Sequence, residues 1–289
     1  LRMSMPCLPN IRIMPGMRFS IVALLSTNGE TSVRYLKTFF YLVALPVVLI
    51  IIWAVIAGEG KNFFIPTPAT LVTTFVDTWF GPRMMTDVLP SIGRFFVGVA
   101  GAIIIGIGAG LLIGTHRWLR DLLEPTLEFF RAIPPPVLVP VLMLLVGVDD
   151  AMKITVIIFG AIWPVLLNTI EGVRAIDPVA SETAKSYGIH GLNRVRYLVL
   201  PSAGPQMMAG IRQCLSIGLI LMVISEMFAS SSGLGFTIVQ FQRSFAVPQM
   251  WSGIVVLGLI GVIVSFVFQA IERYVLAWYN GLKEVENAA

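Results

Sequence analysis

The residues able to do chemistry are few in this chain, and their spacing matters more than their number. There are two histidines, His116 and His190, both in polar segments between apolar runs. A serine–histidine dyad inside an apolar run needs the histidine within hydrogen-bond reach of the serine, and neither is so placed. No H-E-x-x-H metal motif and no G-x-x-x-x-G-K-[ST] phosphate loop occurs, so the sequence predicts no hydrolytic metal centre and no ATP site of its own. Cys7 and Cys214 cannot make a disulfide framework, and no C-x-x-C pair offers a metal site. What remains is polar residues inside apolar runs, which are functional candidates by default. They are Glu226 beside Ser225, Asn168, Gln213 and Ser216, with Trp163-Pro164, and Arg131 next to Pro134-Pro135-Pro136. For Glu226 the plainer role is a structural hydrogen bond that holds the following turn, residues 230–235.

These candidates must be positioned by apolar elements. Of 289 residues, 56% are hydrophobic and 12% are charged, against roughly 25% charged in soluble domains. The mean hydropathy of +0.86 agrees. A soluble enzyme, a disordered chain and a nucleic-acid-binding protein are excluded; the net charge of +4 is too small for a polyanion partner despite a pI near 9.3. About 20 apolar residues cross a bilayer core as helix, where each backbone amide must be satisfied within its own segment. Six segments qualify: 37–57, 92–114, 128–148, 152–171, 206–229 and 252–272. The fold class is an all-α integral membrane protein: one six-helix domain over 37–280, with tails at 1–36 and 281–289.

Orientation follows the placement of lysine and arginine. With the N-terminus cytoplasmic, thirteen lie inside: Arg2, Arg12, Arg18, Arg34, Lys37, Arg117, Arg120, Arg174, Lys185, Arg194, Arg196, Arg273 and Lys283. Four lie outside, Lys61, Arg83, Lys153 and Arg243; Arg94, Arg131 and Arg212 fall within or at the ends of spans. Both tails are therefore expected in the cytoplasm. Residue 1 is Leu, with Met14 and Met17 as rival starts. Arg18 and the short apolar run at 19–25 lack a small-x-small cleavage site, so an interfacial tail is expected and not a cleaved signal.

Within the second span, Gly98, Ala102, Gly106, Gly110 and Gly114 recur every fourth residue and leave one helix face nearly bare for a close neighbour. In the third span, Pro134, Pro135, Pro136 and Pro140 forbid a regular helix. Either this break lines a translocation path, with Arg131 beside it, or residues 127–133 form a short interfacial helix and the true span starts at the prolines. Between the first two spans, Leu71, Val72, Phe75, Val76, Trp79 and Phe80 make an amphipathic helix that lies at the interface or on the bundle.

The polar segment 172–205 holds the most specific pattern. Asp177 is an N-cap candidate with Pro178 at the first helical position, and Gly188 is the stop. An amphipathic piece at 192–198 leads through Leu200-Pro201 back towards the bilayer. The run Glu182-Thr183-Ala184, three residues, Gly188, nine residues, Leu198-Val199-Leu200-Pro201 resembles the cytoplasmic E-A-A-x3-G-x9-I-x-L-P motif of permeases in ATP-binding cassette importers. Thr183 and Leu198 are mild departures. The resemblance covers most of residues 60–280. Residues 131–135, 167–173 and 231–236 look like the branch that handles taurine, alkanesulfonates and nitrate.

The resemblance implies a type I importer-like permease bundle in the bacterial inner membrane, most simply a homodimer. A separate ATPase subunit would bind ATP and magnesium, and an extracytoplasmic binding protein would deliver the solute. It implies no catalysis and no cofactor in this chain. Residues Asp177, Glu182, Ala184, Lys185, Tyr187, Gly188, Leu200 and Pro201 would couple to the ATPase, with Glu182 pairing with a basic residue there. A path between two copies would be lined by Arg131, Pro134, Pro135, Trp163, Asn168, Gln213, Ser216 and Glu226. The rival reading is an autonomous secondary transporter, which needs intramembrane charges for ion coupling.

Overall fold

The computed structural model describes residues 44–58, 63–228, 230–279 and 281. Every regular element among them is helical. The chain divides into two units, residues 1–58 and 59–289. In the first, the described part is an apolar helix, α1 (Ala44–Ile56); the rest of the expected first span, 37–43, lies outside the described residues, as do the expected tails apart from residue 281. Everything below concerns the second unit.

That unit runs α2 (Pro68–Trp79), α3 (Leu89–Thr115), α4 (Arg117–Ala132), α5 (Val139–Val146), α6 (Asp150–Arg174), α7 (Pro178–Ser186), α8 (Gly191–Arg194), α9 (Leu200–Phe228), α10 (Leu234–Arg243) and α11 (Val247–Val275). Among the described residues, four stretches are long and apolar enough to cross a membrane: Met84–Thr115, Asp150–Arg174, Gly191–Phe228 and Val247–Val275. The second and fifth spans thus extend further than expected. The second span begins with a π-turn at Met84–Val88 and the fifth carries one at Val195–Val199, just after α8; in each the amide of Leu89 or Leu200 reaches five residues back. Pro90 and Pro201 follow directly. The widened turn gives each pyrrolidine ring the room that an α-turn denies it, so the helix runs through the proline. The 192–198 piece is therefore continuous with the fifth span.

The third span is not one helix. Arg117–Ala132 and Pro135–Val146 meet at 83°, with Ile133 and Pro134 extended between them. The break falls where three successive prolines remove donors. The helix before it starts at residue 117, ten residues earlier than the expected interfacial piece.

The bare face of α3 fixes the core. A side chain at Gly98, Gly106, Gly110 or Gly114 would strike Ile157, Val165, Thr169 or Val173 respectively. The two series advance together, so α3 and α6 are packed parallel within one chain. The chain between them must then return from one end of the bundle to the other, which α4 and α5 accomplish. α9 runs antiparallel to both: the positions of Gly172, Gly210 and Gly218 face Ala203, Pro164 with Asn168, and Val99. Phe95, Val99, Ile157, Ala161, Val165, Cys214 and Leu221 close the centre. α2 packs on α11, its Thr67 cap accepting from Thr70 N–H and its buried Trp79 donating to Ser252 Oγ at 2.9 Å.

Candidate functional site

Two built features sit at opposite ends of α6, whose 25 residues separate them by roughly 36 Å at 1.5 Å per residue. At the Arg174 end is the capped segment. Asp177 accepts from Val179 N–H at 2.9 Å and Pro178 opens α7. Gly188 ends it at φ +69°, with Gly188 N–H donating to Lys185 O and Ile189 N–H to Ala184 O; this double bond closes the last carbonyls only when the turn residue is left-handed. The helix is therefore fixed at both ends by its own sequence.

Ala184 alone faces inward, 6% exposed, and Arg194 donates to Ser181 Oγ at 2.9 Å, tying α7 to α8. Val199 and Ala203 anchor the segment against Val173. Glu182, Lys185, Tyr187 and Gly188 all point outward, with Val179 and Leu192 exposed beside them. Leu200 and Pro201 lie in the π-turn junction, exposed, and carry the segment into α9. A cavity of about 440 Å³, lined by Gly114, His116, Ile176, Ser181 and Arg194, separates α7 from the ends of α3 and α6.

At the Asp150 end is a polar cluster that is buried around Glu226 and open to solvent at Asp150. Glu226 is fully buried and Arg94 is 6% exposed. Arg94 Nη1 donates to Glu226 Oε1 at 2.7 Å, and its Nε donates to Asp150 at 2.9 Å. Lys153, also buried, donates to the same Asp150 oxygen at 3.2 Å. Ser91 Oγ lies 2.7 and 2.9 Å from the two Glu226 oxygens and accepts from Leu234 N–H. Gly235 N–H donates to Glu226 Oε2 at 2.9 Å and Gly233 N–H to Asp87 at 3.2 Å. Burying a charge costs several kcal/mol unless it is paired and hydrogen-bonded. Here donors from α3, α6 and the 232–235 turn meet that requirement, so the turn is bound to the bundle. Gly233, at φ +117°, brings its Cα so close that a side chain would sit 2.5 Å from the Glu226 carboxyl carbon.

Glu226 thus makes the structural contact expected of it, holding the turn. Its partner Arg94, with Ser91, Asp87 and Asp150, was not singled out from the sequence. The spacing of Asp87, Ser91 and Arg94, polar at i, i+4 and i+7 in an apolar helix, is the signal that could have found them.

The remaining path candidates do not converge on one site within the chain. Asn168 is half-buried in an intrachain contact: its Nδ2 donates to Pro164 O at 2.7 Å, and its Oδ1 accepts from Gln206 at 3.1 Å. Gln213 and Ser216 lie exposed with Gln206 along the open face of α9. Pro135 packs at Gly160, whereas Pro134 is exposed. Trp163 stacks edge-on with Phe159, which meets Phe130 of α4; its indole N–H is buried with no acceptor among the described residues. That ring contact sets the C-terminal end of α4 level with the middle of α6. Arg131 pairs there with Glu128 at 2.7 Å, both about half exposed.

Among the described residues, no group of His, Cys, Asp or Glu could hold a metal ion. Long apolar helices, with a capped helix presented at one end and a buried polar cluster at the other, define a multi-pass membrane protein. Residues 102–279 match the family of binding-protein-dependent transport system inner membrane components, and the chain belongs to that family, the non-catalytic permease subunits of ATP-binding cassette importers. The putative aliphatic sulfonates transport permease protein SsuC of Bacillus subtilis is 31% identical over 238 residues, 82% of this chain and 86% of that one. The taurine transport system permease protein TauC of Escherichia coli is 26% identical over 241 residues, 81% and 87% of the two chains. The nitrate import permease protein NrtB of Synechocystis is 23% identical over 239 residues, 79% and 86%.

Proposed function

We propose that this permease carries a small anion of the sulfonate or nitrate kind across the bacterial inner membrane, and that α7 is the lever by which a separate ATPase drives it. The observation that carries the lever is the geometry of α7. It is capped at both ends and anchored through Ala184 and Ser181, and it displays Glu182, Lys185 and Tyr187, with Leu192 of α8 exposed beside them, their side chains without hydrogen-bond or ionic partners among the described residues. A short rigid helix with exposed ionic, aromatic and aliphatic groups fits a groove on a partner by anchor contacts. In this reading the ATPase binds ATP and magnesium, and its closure moves α7 and the helices attached to it.

The path is proposed between two copies. Gln206, Gln213 and Ser216 form a polar stripe along the exposed face of α9, beside Arg212, which pairs with Glu272, and the Glu128–Arg131 pair lies midway along the bundle, half exposed. Polar and charged groups at that depth face protein or water, since lipid exposure costs about 2.5–3.5 kcal/mol for a charge. The orientation, with α7 and both tails in the cytoplasm, rests on the thirteen-to-four excess of basic residues. A secondary transporter would need a carboxylate free to exchange ions, whereas the acceptors of Glu226 are filled by Ser91, Arg94 and Gly235.

Purification with the co-encoded ATPase tests the lever. Glu182→Ala and Gly188→Val are expected to insert and assemble as copies of the native chain do, but to lose ATPase association or substrate-stimulated hydrolysis by about tenfold. Native coupling in both variants refutes the assignment.

A further inference from the structure

The geometry points to an anion-receiving subsite at the Arg243 cleft, on the face of the α10 region opposite the Glu226 seal. The cleft, of about 440 Å³, lies between the end of α9 and α10, within the roughly 300–1,000 Å³ range of small-molecule sites. Its walls divide by chemistry: Met227 and Phe236 are apolar, whereas Ser230, Gln240, Arg243 and Ser244 are polar.

The charge pairing at this end of the bundle singles out Arg243. Arg83 is paired with Asp87 and lies over the Phe241 ring. Arg94 is paired with Glu226 and Asp150, and Lys153 with Asp150. Arg243 is the cation left without an anion among the described residues of this end, and it opens into the cleft. The Gln240 side-chain amide beside it has no hydrogen-bond partner among the described residues. A guanidinium with an adjacent amide donor matches the planar or tetrahedral oxygens of a nitrate or sulfonate. Met227 and Phe236 offer a surface for a short carbon chain on that head group.

The seal explains why the cleft keeps its shape. Met227 follows Glu226 directly and Phe236 follows Gly235, the two residues joined by the 2.9 Å bond. One wall is therefore held from behind by the buried carboxylate. The subsite is an organic or inorganic monoanion site, met by solute released at this end before it enters the path.

This rests on the anionic reading above, so the test separates the two. The permease, its ATPase and its binding protein are reconstituted in proteoliposomes, and uptake of nitrate, taurine and butanesulfonate is measured beside a neutral solute. For whichever anion is carried, Arg243→Gln is expected to raise the half-saturation concentration by about tenfold or more. Arg243→Lys should fall between it and the native chain, and basal ATP hydrolysis should stay unchanged. Phe236→Ala should weaken butanesulfonate uptake and leave nitrate uptake as it was, a selectivity that a general loss of stability does not produce. An unchanged half-saturation in Arg243→Gln for an anion that the native complex carries overturns the subsite alone. Uptake of the neutral solute and of none of the three anions overturns the anionic reading and the subsite together.

Discussion

Glu226 and Arg94 show how one buried pair can organise a loop. Removing Arg94 strands the Glu226 charge in a dry site, which costs about 3–5 kcal/mol; removing Glu226 leaves Arg94 its Asp150 partner but strips the acceptor from Ser91 and Gly235. Glu226→Ala and Arg94→Ala should therefore each lower the melting temperature of the purified protein sharply. The double variant Arg94→Met/Glu226→Met should recover much of the loss, because a closely packed apolar pair needs no neutralising partner. Equal melting of single and double variants shows that the pair is not the source of the effect. Gly233→Ala should destabilise as well, by about 1–3 kcal/mol, since the left-handed backbone and the 2.5 Å approach to Glu226 both oppose a side chain. The partnership of Arg94 with Glu226 was not legible in the sequence, because 132 positions separate them and periodicity reports a face, not what lies across from it. The tie between Glu226 and the turn was legible, because it is local.

At the scale of elements, legibility followed the same division. The start and stop of α7 could be read from Asp177-Pro178 and Gly188, because caps act on backbone groups within a few residues. The bare face of α3 could be read as a contact surface, but not its partner. The break in the third span could be read from Pro134-Pro135-Pro136, but the helix before it starts at Arg117 and not near Leu127, because the polar first turns of α4 leave no apolar run to mark them. The π-turns before Pro90 and Pro201 leave no mark in composition, so two spans were drawn short. The α3–α6 packing makes a sharp prediction. Gly110→Val puts a Cβ 2.6 Å from that of Thr169, whereas the position of Gly108 has nothing within 4 Å. Thermal unfolding in detergent should show a loss of about 1–3 kcal/mol for Gly110→Val and little change for Gly108→Ala. Similar melting of both would contradict the parallel packing. Asp177→Ala should loosen α7 by about 0.5–2 kcal/mol, read as faster amide exchange confined to residues 178–186.

For the whole molecule, the two ends of α6 are given different tasks. In the proposed reading the Arg174 end carries the lever in the cytoplasm and the Asp150 end faces outward, so a membrane-impermeant thiol reagent should distinguish them. Lys185→Cys should react only in inside-out vesicles and Ser231→Cys only in intact cells; the reverse pattern inverts the orientation. The most direct measurement is a cross-link from the lever itself. Tyr187→Cys, 80% exposed in the free chain, is combined with a scan of single cysteines along the groove of the ATPase subunit and oxidised in the assembled complex. The expected result is one strong heterologous cross-link whose yield changes when ATP is added, with none from a cysteine at Ser231. An assembled, active complex in which no groove cysteine joins residue 187, with or without ATP, contradicts the role of α7 as the lever.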